Sequence, residues 1–398
     1  MQGGIRNWRA WAQLALGLVL LASLAACSPQ AQVSARERLF LERSLALVDA
    51  VSLPQCSFQA PPIGGLSALD YDPQSARFYA LSDDGGRQGP PRFYTFRVAI
   101  ERDASGATGI ADVSFERVTP LKPEAGDRYP PGQLDPEGLA RSPRETVFIA
   151  SEGATAHGIA PTIAEFELAS GRQQTRLELP EYYLPRPAEA EAQAPRGVAP
   201  NRGFESLTLG PTGTAATDPF RLFAAPERPL RQDRRPSEPG SPQRVRLLHY
   251  RFDAIGPPAL LAEHIYPLES PQAGERENGL SELLALEQRG HFLSLERSYG
   301  PEGFGARIHQ VAVGGATDIS GIARLPAELG DLEPMAKQLL LDGRDRDLAN
   351  WEGMALGPPL PDGSASLVVV SDNNFDPNQP TRLLLFRLVG APQSASAR

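Results

Sequence analysis

The sequence predicts an all-β protein built from a repeated four-stranded unit. Three observations carry this. Glycine and proline are both frequent, at 37 and 39 of 398 residues, which suits many turns and argues against a helical fold. Short runs alternate apolar and polar residues, the period of a half-buried strand. One pattern, an apolar strand, a turn and a second apolar strand ending in acidic or polar residues, occurs five times.

The five occurrences are LSALDYDPQSARFYALSDD (Leu66 to Asp84), DPEGLARSPRETVFIASEG (Asp135 to Gly153), GFESLTLGP…RLFAAPER (Gly203 to Arg228), LSELLALEQRGHFLSLERS (Leu280 to Ser298) and NWEGMALGPPLPDGSASLVVVSDNNF (Asn350 to Phe375). Alignment on the first strand matches Leu69, Leu139, Leu207, Leu284 and Met354, in steps of 70, 68, 77 and 70 residues. A third strand follows in every unit: PRFYTFRVAI, APTIAEFELA, VRLLHYRFDA, ARIHQVAV and TRLLLFRLVG. A fourth follows in four of them: DVSFERVTPL, QTRLELPEYY, ALLAEHIYPL and AKQLLLDG. The fifth unit lacks one, and Ser44 to Leu53 (SLALVDAVSL) supplies it if the two chain ends pair. Repetition on this scale is the logic of a β-propeller, in which radial blades leave only short protected edges. Five blades is the direct count, and six requires an irregular blade among the five. Residues 44–390 form the propeller and 391–398 a disordered tail.

In such a blade the first strand lines the central channel and the second runs back beside it. The start of one and the end of the other therefore share a rim. Two before the aligned residues stand Ser67, Glu137, Glu205, Glu282 and Glu352. The second strands end near Asp83, Glu152, Glu227, Glu296 and Asp372. With Asp84 added, ten carboxylates are expected at one mouth. So many anions must protonate, pair with cations or hold a metal. Arg87, Arg202, Arg228 and Arg297 lie on or beside the same segments, and Asn201, Asn350, Asn373 and Asn374 add amide oxygens. An all-oxygen set suits calcium, which takes six to eight oxygen ligands. Zinc is disfavoured, because His157, His249, His264, His291 and His309 show no paired spacing. Hydrogen bonding of each glutamate to neighbouring backbone amides is the competing, purely architectural role.

Other chemistries are not supported. The formal charge of −9 argues against nucleic acid as a partner. No Gly-x-Ser-x-Gly elbow or phosphate-binding Gly-Lys loop occurs. The Asp342-Gly343-Arg344-Asp345-Arg346-Asp347 run lacks the closing glutamate of a calcium loop and reads as solvated. Two Pro-rich tracts, Leu184 to Pro200 and Arg228 to Arg244, read as loops at the acidic rim and as candidate lids.

The first 26 residues read as a targeting segment, with Arg6 and Arg9 ahead of an apolar run from Leu14 to Ala26. That run is short for a membrane span. It ends in Leu24-Ala25-Ala26-Cys27, which resembles a bacterial lipobox. The resemblance implies cleavage before Cys27, lipidation of its sulfur and a tether over 27–43. Ser28 favours outer-membrane sorting, with the propeller in the periplasm or outside the cell. Only Cys56 then remains, so no internal disulfide is expected.

LDPEGLA, NRGFESLTL, LERSYG and NWEGMALGP…LVVVSDNNF together resemble the bacterial "esterase-like activity of phytase" (phytase-like) family, over about Ile63 to Leu388. The resemblance implies a phosphoester-hydrolase type of activity. By analogy with propeller phytases it implies calcium ions at an acidic channel mouth. Ser206 stands where the motif has glycine, and Glu282 lacks the motif's context, which sets the third and fourth units apart.

These readings combine into an expected monomeric, lipid-anchored propeller hydrolase acting on a small phosphate ester or similar anion. Calcium is expected on Asp83, Glu137, Glu352, Asp372 and Asn373. Glu137, Glu152, Glu205 and Arg297 are the expected catalytic residues: Glu152 or Glu205 as base, Arg297 against developing charge. A non-catalytic binding propeller and a calcium-dependent carboxylic ester or lactone hydrolase are the alternatives.

Overall fold

The computed structural model describes residues 39–390, except 54–56, 59–61, 187–194, 236–241 and 344–348. Cys27, Cys56, the targeting segment and the tail fall outside the described residues. So do parts of both Pro-rich tracts and of the Asp342–Asp347 loop.

Five four-stranded antiparallel sheets form a ring, a five-bladed β-propeller with no α-helix among the described residues. Blade one is β2 (Leu66–Asp72), β3 (Arg77–Ser82), β4 (Arg92–Arg102) and β5 (Thr108–Pro120). Blade two is β6 (Pro136–Arg141), β7 (Thr146–Ser151), β8 (Thr162–Glu167) and β9 (Gln173–Arg176). Blade three is β10 (Phe204–Leu209), β11 (Phe220–Pro226), β12 (Gln243–Phe252) and β13 (Ala259–Leu268). Blade four is β14 (Glu277–Ala285), β15 (His291–Gly300), β16 (Gly303–Ala312) and β17 (Ala336–Asp342). Blade five is β18 (Asn350–Leu356), β19 (Ala365–Asp372), β20 (Arg382–Val389) and β1 (Ser44–Ser52).

The ring closes as expected. β1 pairs antiparallel with β20, from Ser44 opposite Val389 to Ser52 opposite Arg382, so each chain end holds the other's sheet. Apolar cores lie between successive blades. Between blades two and three, Phe148, Phe204, Phe220 and Phe252 are all 2% exposed or less. Phe220 and Phe252 stack with centroids 4.6 Å apart. Burying each such ring contributes roughly 2–3 kcal/mol.

One irregularity recurs in every blade. The innermost strand carries a β-bulge near its start, between Leu66 and Ala68, Pro136 and Gly138, Phe204 and Ser206, Leu280 and Glu282, and Trp351 and Gly353. The extra residue is Ser67, Glu137, Glu205, Ser281 or Glu352. A bulge re-aims one side chain without breaking the ladder, and here it sets one residue per blade at the channel mouth. The residue after the bulge packs against the next blade. A Cβ on Gly138 would stand 2.4 Å from the Glu205 carbonyl oxygen, and one on Gly353 2.8 Å from the Ala68 carbonyl carbon.

This register corrects the fourth repeat by one residue. Leu283, not Leu284, is equivalent to Leu69, Leu139, Leu207 and Met354. Ser281 stands at the bulge. Glu282 takes the small-residue position, and Arg297, not Glu296, is equivalent to Asp83, Glu152, Glu227 and Asp372.

Candidate functional site

The mouth is lined by two residues from each hairpin: the bulge residue and the residue closing the second strand. Around the ring these are Ser67 and Asp83, Glu137 and Glu152, Glu205 and Glu227, Ser281 and Arg297, and Glu352 and Asp372. Seven of the ten expected carboxylates meet there.

The other three are placed elsewhere. Asp84 is fully buried and ion-paired with Arg92, whose guanidinium also reaches the Tyr94 hydroxyl and the Pro62 carbonyl. Glu296 faces the gap between blades three and four, where it accepts from Tyr266 and Asn278 and pairs with Lys337. Glu282 accepts from the backbone amides of Leu283 and of Leu207 in blade three. That is the architectural role weighed for the glutamates, and three residues fill it.

Five of the seven remaining carboxylates, joined by Asp135, fall into two groups with different partners, and Glu352 and Asp372 stand in blade five. In the first, ligand oxygens of Asp83, Asp135 and Glu137 lie within 4.8 Å of one another. Asp83 and Asp135 stand carboxyl to carboxyl in hydrogen-bond contact, which needs a shared proton or a cation. Burial, then Asp135, Asp372 and Glu352, push Asp83 well above the usual carboxylate range. Glu137 is pushed well up by burial and then by Asp83, Glu152 and Glu205. Among the described residues, no Lys, Arg or His nitrogen comes within ion-pair distance of these three.

In the second group, ligand oxygens of Glu152, Glu205 and Glu227 also lie within 4.8 Å of one another. Here the protein supplies the cations. Arg297 Nη2 is 3.4 Å from Glu227 Oε1 and 3.8 Å from Glu205 Oε1, and its Nε is 3.5 Å from Glu352 Oε1. Arg202 Nε is 3.2 Å from Glu227 Oε2. Glu152 accepts the Gly203 amide at 2.8 Å, and burial with Glu227 nearby pushes it up to about 8.

Glycines hold this geometry open. A Cβ on Gly203 would meet the Glu152 Cα at 2.6 Å, and one on Gly279 would meet Glu227 Oε1 at 2.2 Å. Each closing carboxylate thus lies over the start of the next blade.

Blade five completes the mouth. Glu352 is raised to about 8 by burial and Asp372, and Asp372 to about 6 by burial. Asn350 Nδ2 donates to Glu352 Oε1 at 2.6 Å. Its Oδ1 is buried and has no hydrogen-bond donor. A buried amide oxygen without a donor, beside ionisable carboxylates, fits a hard cation. Asn373 fits less well, because its Oδ1 already accepts from the amides of Gly65 and Phe375. Asn201 and Asn374 are turn residues at positive φ.

Asp135 and Asn350 were under-read in the sequence. Both stand two residues before a bulge glutamate, an offset that the aligned motifs share. That offset is the sign the sequence gives of them, because neither is a bulge residue or closes a second strand.

A family model described as "Phytase-like: Esterase-like activity of phytase" matches residues 61–375, and the chain belongs to this family. No curated protein matches it in sequence. Among solved structures it is similar to the catalytic domain of a Coprinopsis cinerea GH62 α-L-arabinofuranosidase, at 11% identity over 89% of this chain and 99% of that one, with a TM-score of 0.36. It is also similar to an endo-arabinase from Bacteroides thetaiotaomicron (12%, 83% and 97%, TM-score 0.36). A third is the Pan2 WD40 domain of Neurospora crassa (7%, 88% and 96%, TM-score 0.34). Likeness this distant carries nothing about activity.

Proposed function

We propose that the acidic mouth is a calcium-dependent hydrolytic site for phosphate esters. The observation that carries this is the Asp83, Asp135 and Glu137 group, which has no protein cation in ion-pair reach and lies close to Glu352 and Asp372. Those five carboxylates, with Asn350 Oδ1, form an all-oxygen donor set of the kind calcium takes. Bound there, calcium would supply Lewis-acid polarisation of an ester oxygen and activation of water.

The chain's own residues divide the remaining tasks. Glu152 titrates near neutrality, so it is suited to take and return a proton at its free Oε2. Gly203 fixes the orientation of that carboxyl through the hydrogen bond its backbone N–H donates to Oε1. Arg297 lies between Glu205, Glu227 and Glu352 and offsets part of their charge without metal, although burial and Glu227 still hold Glu205 well above the usual carboxylate range. Membership of the phytase-like family supports the phosphate-ester reading. A lipid anchor at Cys27, and with it a place in the cell envelope, belongs to the same proposal.

Hydrolysis of a phosphate monoester and of a carboxylic ester, each titrated with calcium and with EDTA, tests it. Calcium-dependent phosphate release supports the reading. Release of the carboxylic acid alone moves the site to ester chemistry. Calcium binding without hydrolysis of either leaves a binding propeller.

A further inference from the structure

We propose that the blade-three side of the mouth carries an oxyanion subsite, built from Arg202 and Arg228 and filled by the protein's own Glu277 until a phosphate group displaces it. The proposal deepens the phosphate-ester reading and rests on it for the identity of the anion.

Arg202 immediately precedes the Gly203 whose carbonyl accepts the Glu227 amide, and Arg228 immediately follows Glu227. The ladder therefore puts the two guanidiniums side by side at the same end of one hairpin. Both converge on a single oxygen. Glu277 Oε2 lies 2.6 Å from Arg202 Nη2 and 3.1 Å from Arg228 Nη2. Glu277 opens the neighbouring blade, and its side chain is 43% exposed against 24% and 22% for the arginines. The arginines thus form the wall, and the carboxylate occupies the solvent side of the slot.

Donor capacity exceeds what Glu277 uses. Arg228 Nε is buried with no hydrogen-bond partner. Glu227 lies behind the two guanidiniums, 3.2 Å from Arg202 Nε and 3.9 Å from Arg228 Nε, and on the solvent side Glu277 brings them a single charge. A phosphate group brings up to two charges and three terminal oxygens, and planar arginine forks match it. The segment carrying Arg228 is fixed, not a loose loop. Its Asp233 pairs with Arg246 in a fully buried bridge and accepts the Leu325 amide at 2.8 Å.

The slot adjoins the acidic groups through Glu227, which touches both Arg202 and Arg297. One ligand can therefore place an anionic group on the arginines and a second group near the carboxylates. In this arrangement Glu277 is a built-in competitor that holds the arginines apart while the site is free.

Binding of inorganic phosphate to the full chain, followed by calorimetry with calcium and again with EDTA, tests the proposal. Glu277→Gln removes the competing charge and is expected to tighten phosphate about tenfold, the scale of one charge-assisted hydrogen bond. Arg202→Gln and Arg228→Gln, separately, are expected to weaken it by about as much. Melting curves confirm that each variant folds, and the two arginine variants back each other up. Unchanged or weaker phosphate binding in Glu277→Gln overturns the proposal. Wild-type affinity in both arginine variants, or acetate binding more tightly than phosphate, does the same. Phosphate that tracks these residues in a protein with no hydrolytic activity keeps the subsite and removes the hydrolase reading. Hydrolysis with no effect of Glu277→Gln does the reverse.

Discussion

Blades two and three and blade four use the same hairpin with opposite chemistry. In blades two and three the bulge residue and the strand-closing residue are both glutamates, Glu137 with Glu152 and Glu205 with Glu227. In blade four the same two positions hold Ser281 and Arg297. Ser281 turns its hydroxyl to the Leu295 carbonyl at 3.2 Å, and Arg297 reaches across to three glutamates of other blades. A ring of five acidic hairpins would need an external cation everywhere. One basic hairpin brings a guanidinium to its own side and leaves the Asp83, Asp135 and Glu137 group to a shared proton or a cation from solution. The asymmetry gives the mouth a direction, with metal-seeking oxygens on one side and guanidiniums on the other.

The comparison breaks most severely at Arg297. Arg297→Ala should leave Glu205, Glu227 and Glu352 without their shared cation. Denaturant unfolding in EDTA should show a loss of about 3 kcal/mol, the low end for breaking a buried ion pair, because a fifth of the side chain meets solvent. Added calcium should restore part of that loss. A loss under about 1 kcal/mol, the range of a surface pair, would mean that blade four does not balance the ring.

The small-residue position sharpens the same contrast. Gly138→Ala places a Cβ 2.4 Å from the Glu205 carbonyl oxygen and should cost roughly 2 kcal/mol by overpacking. Blade four already carries Glu282 there, so Glu282→Ala meets no such clash and should lose only what its two amide hydrogen bonds contribute. Equal penalties in the two variants would erase the distinction.

Proton linkage runs through both sides of the mouth, with a smaller effect. Burial raises Asp372 to about 6 and Glu152 and Glu352 to about 8. A carboxyl with a raised folded-state value takes up protons on folding. Its contribution is therefore present below about pH 4, the ordinary carboxylate range, and is lost as pH rises through the folded value. Metal-free protein should melt several degrees lower at pH 8 than at pH 5, and saturating calcium should flatten that slope. A metal-free melting temperature that rises over this range would contradict the raised values.

The smallest effect is expected at the two bulge serines. Ser67 Oγ is buried without a hydrogen-bond partner, whereas Ser281 Oγ donates to Leu295. Ser67→Ala should change stability by no more than about 0.5 kcal/mol, and Ser281→Ala should cost about 1 kcal/mol. Thermal unfolding of the pair decides between them.

The sequence showed the five repeats, the closing strand Ser44 to Leu53 and the seven carboxylates that meet at the mouth. It did so because strand period and hairpin geometry constrain those positions locally. It did not show the slip in blade four. A bulge adds one residue and shifts the parity of everything before it, and the Leu280, Leu283 and Leu284 run offers several equivalent apolar anchors. Two adjacent aspartates, Asp83 and Asp84, look alike in the chain. Only the position of Arg92 in the folded blade separates the mouth residue from the buried ion-pair partner. Glu277 lies at the start of a strand, and its contact with Arg202 is 75 residues away.

The central claim of the proposed function is that the Asp83, Asp135 and Glu137 group, which no guanidinium contacts at ion-pair distance, takes a cation from solution. Calcium calorimetry on the EDTA-stripped protein, wild type against Asp83→Asn with Glu137→Gln, tests it most directly. The account predicts calcium binding to wild type with a raised melting temperature, and no binding to the double variant, which keeps its fold because it loses only mutual repulsion. Absence of binding in the wild type, or equal binding in the variant, would contradict it and leave the ring as an internally paired scaffold.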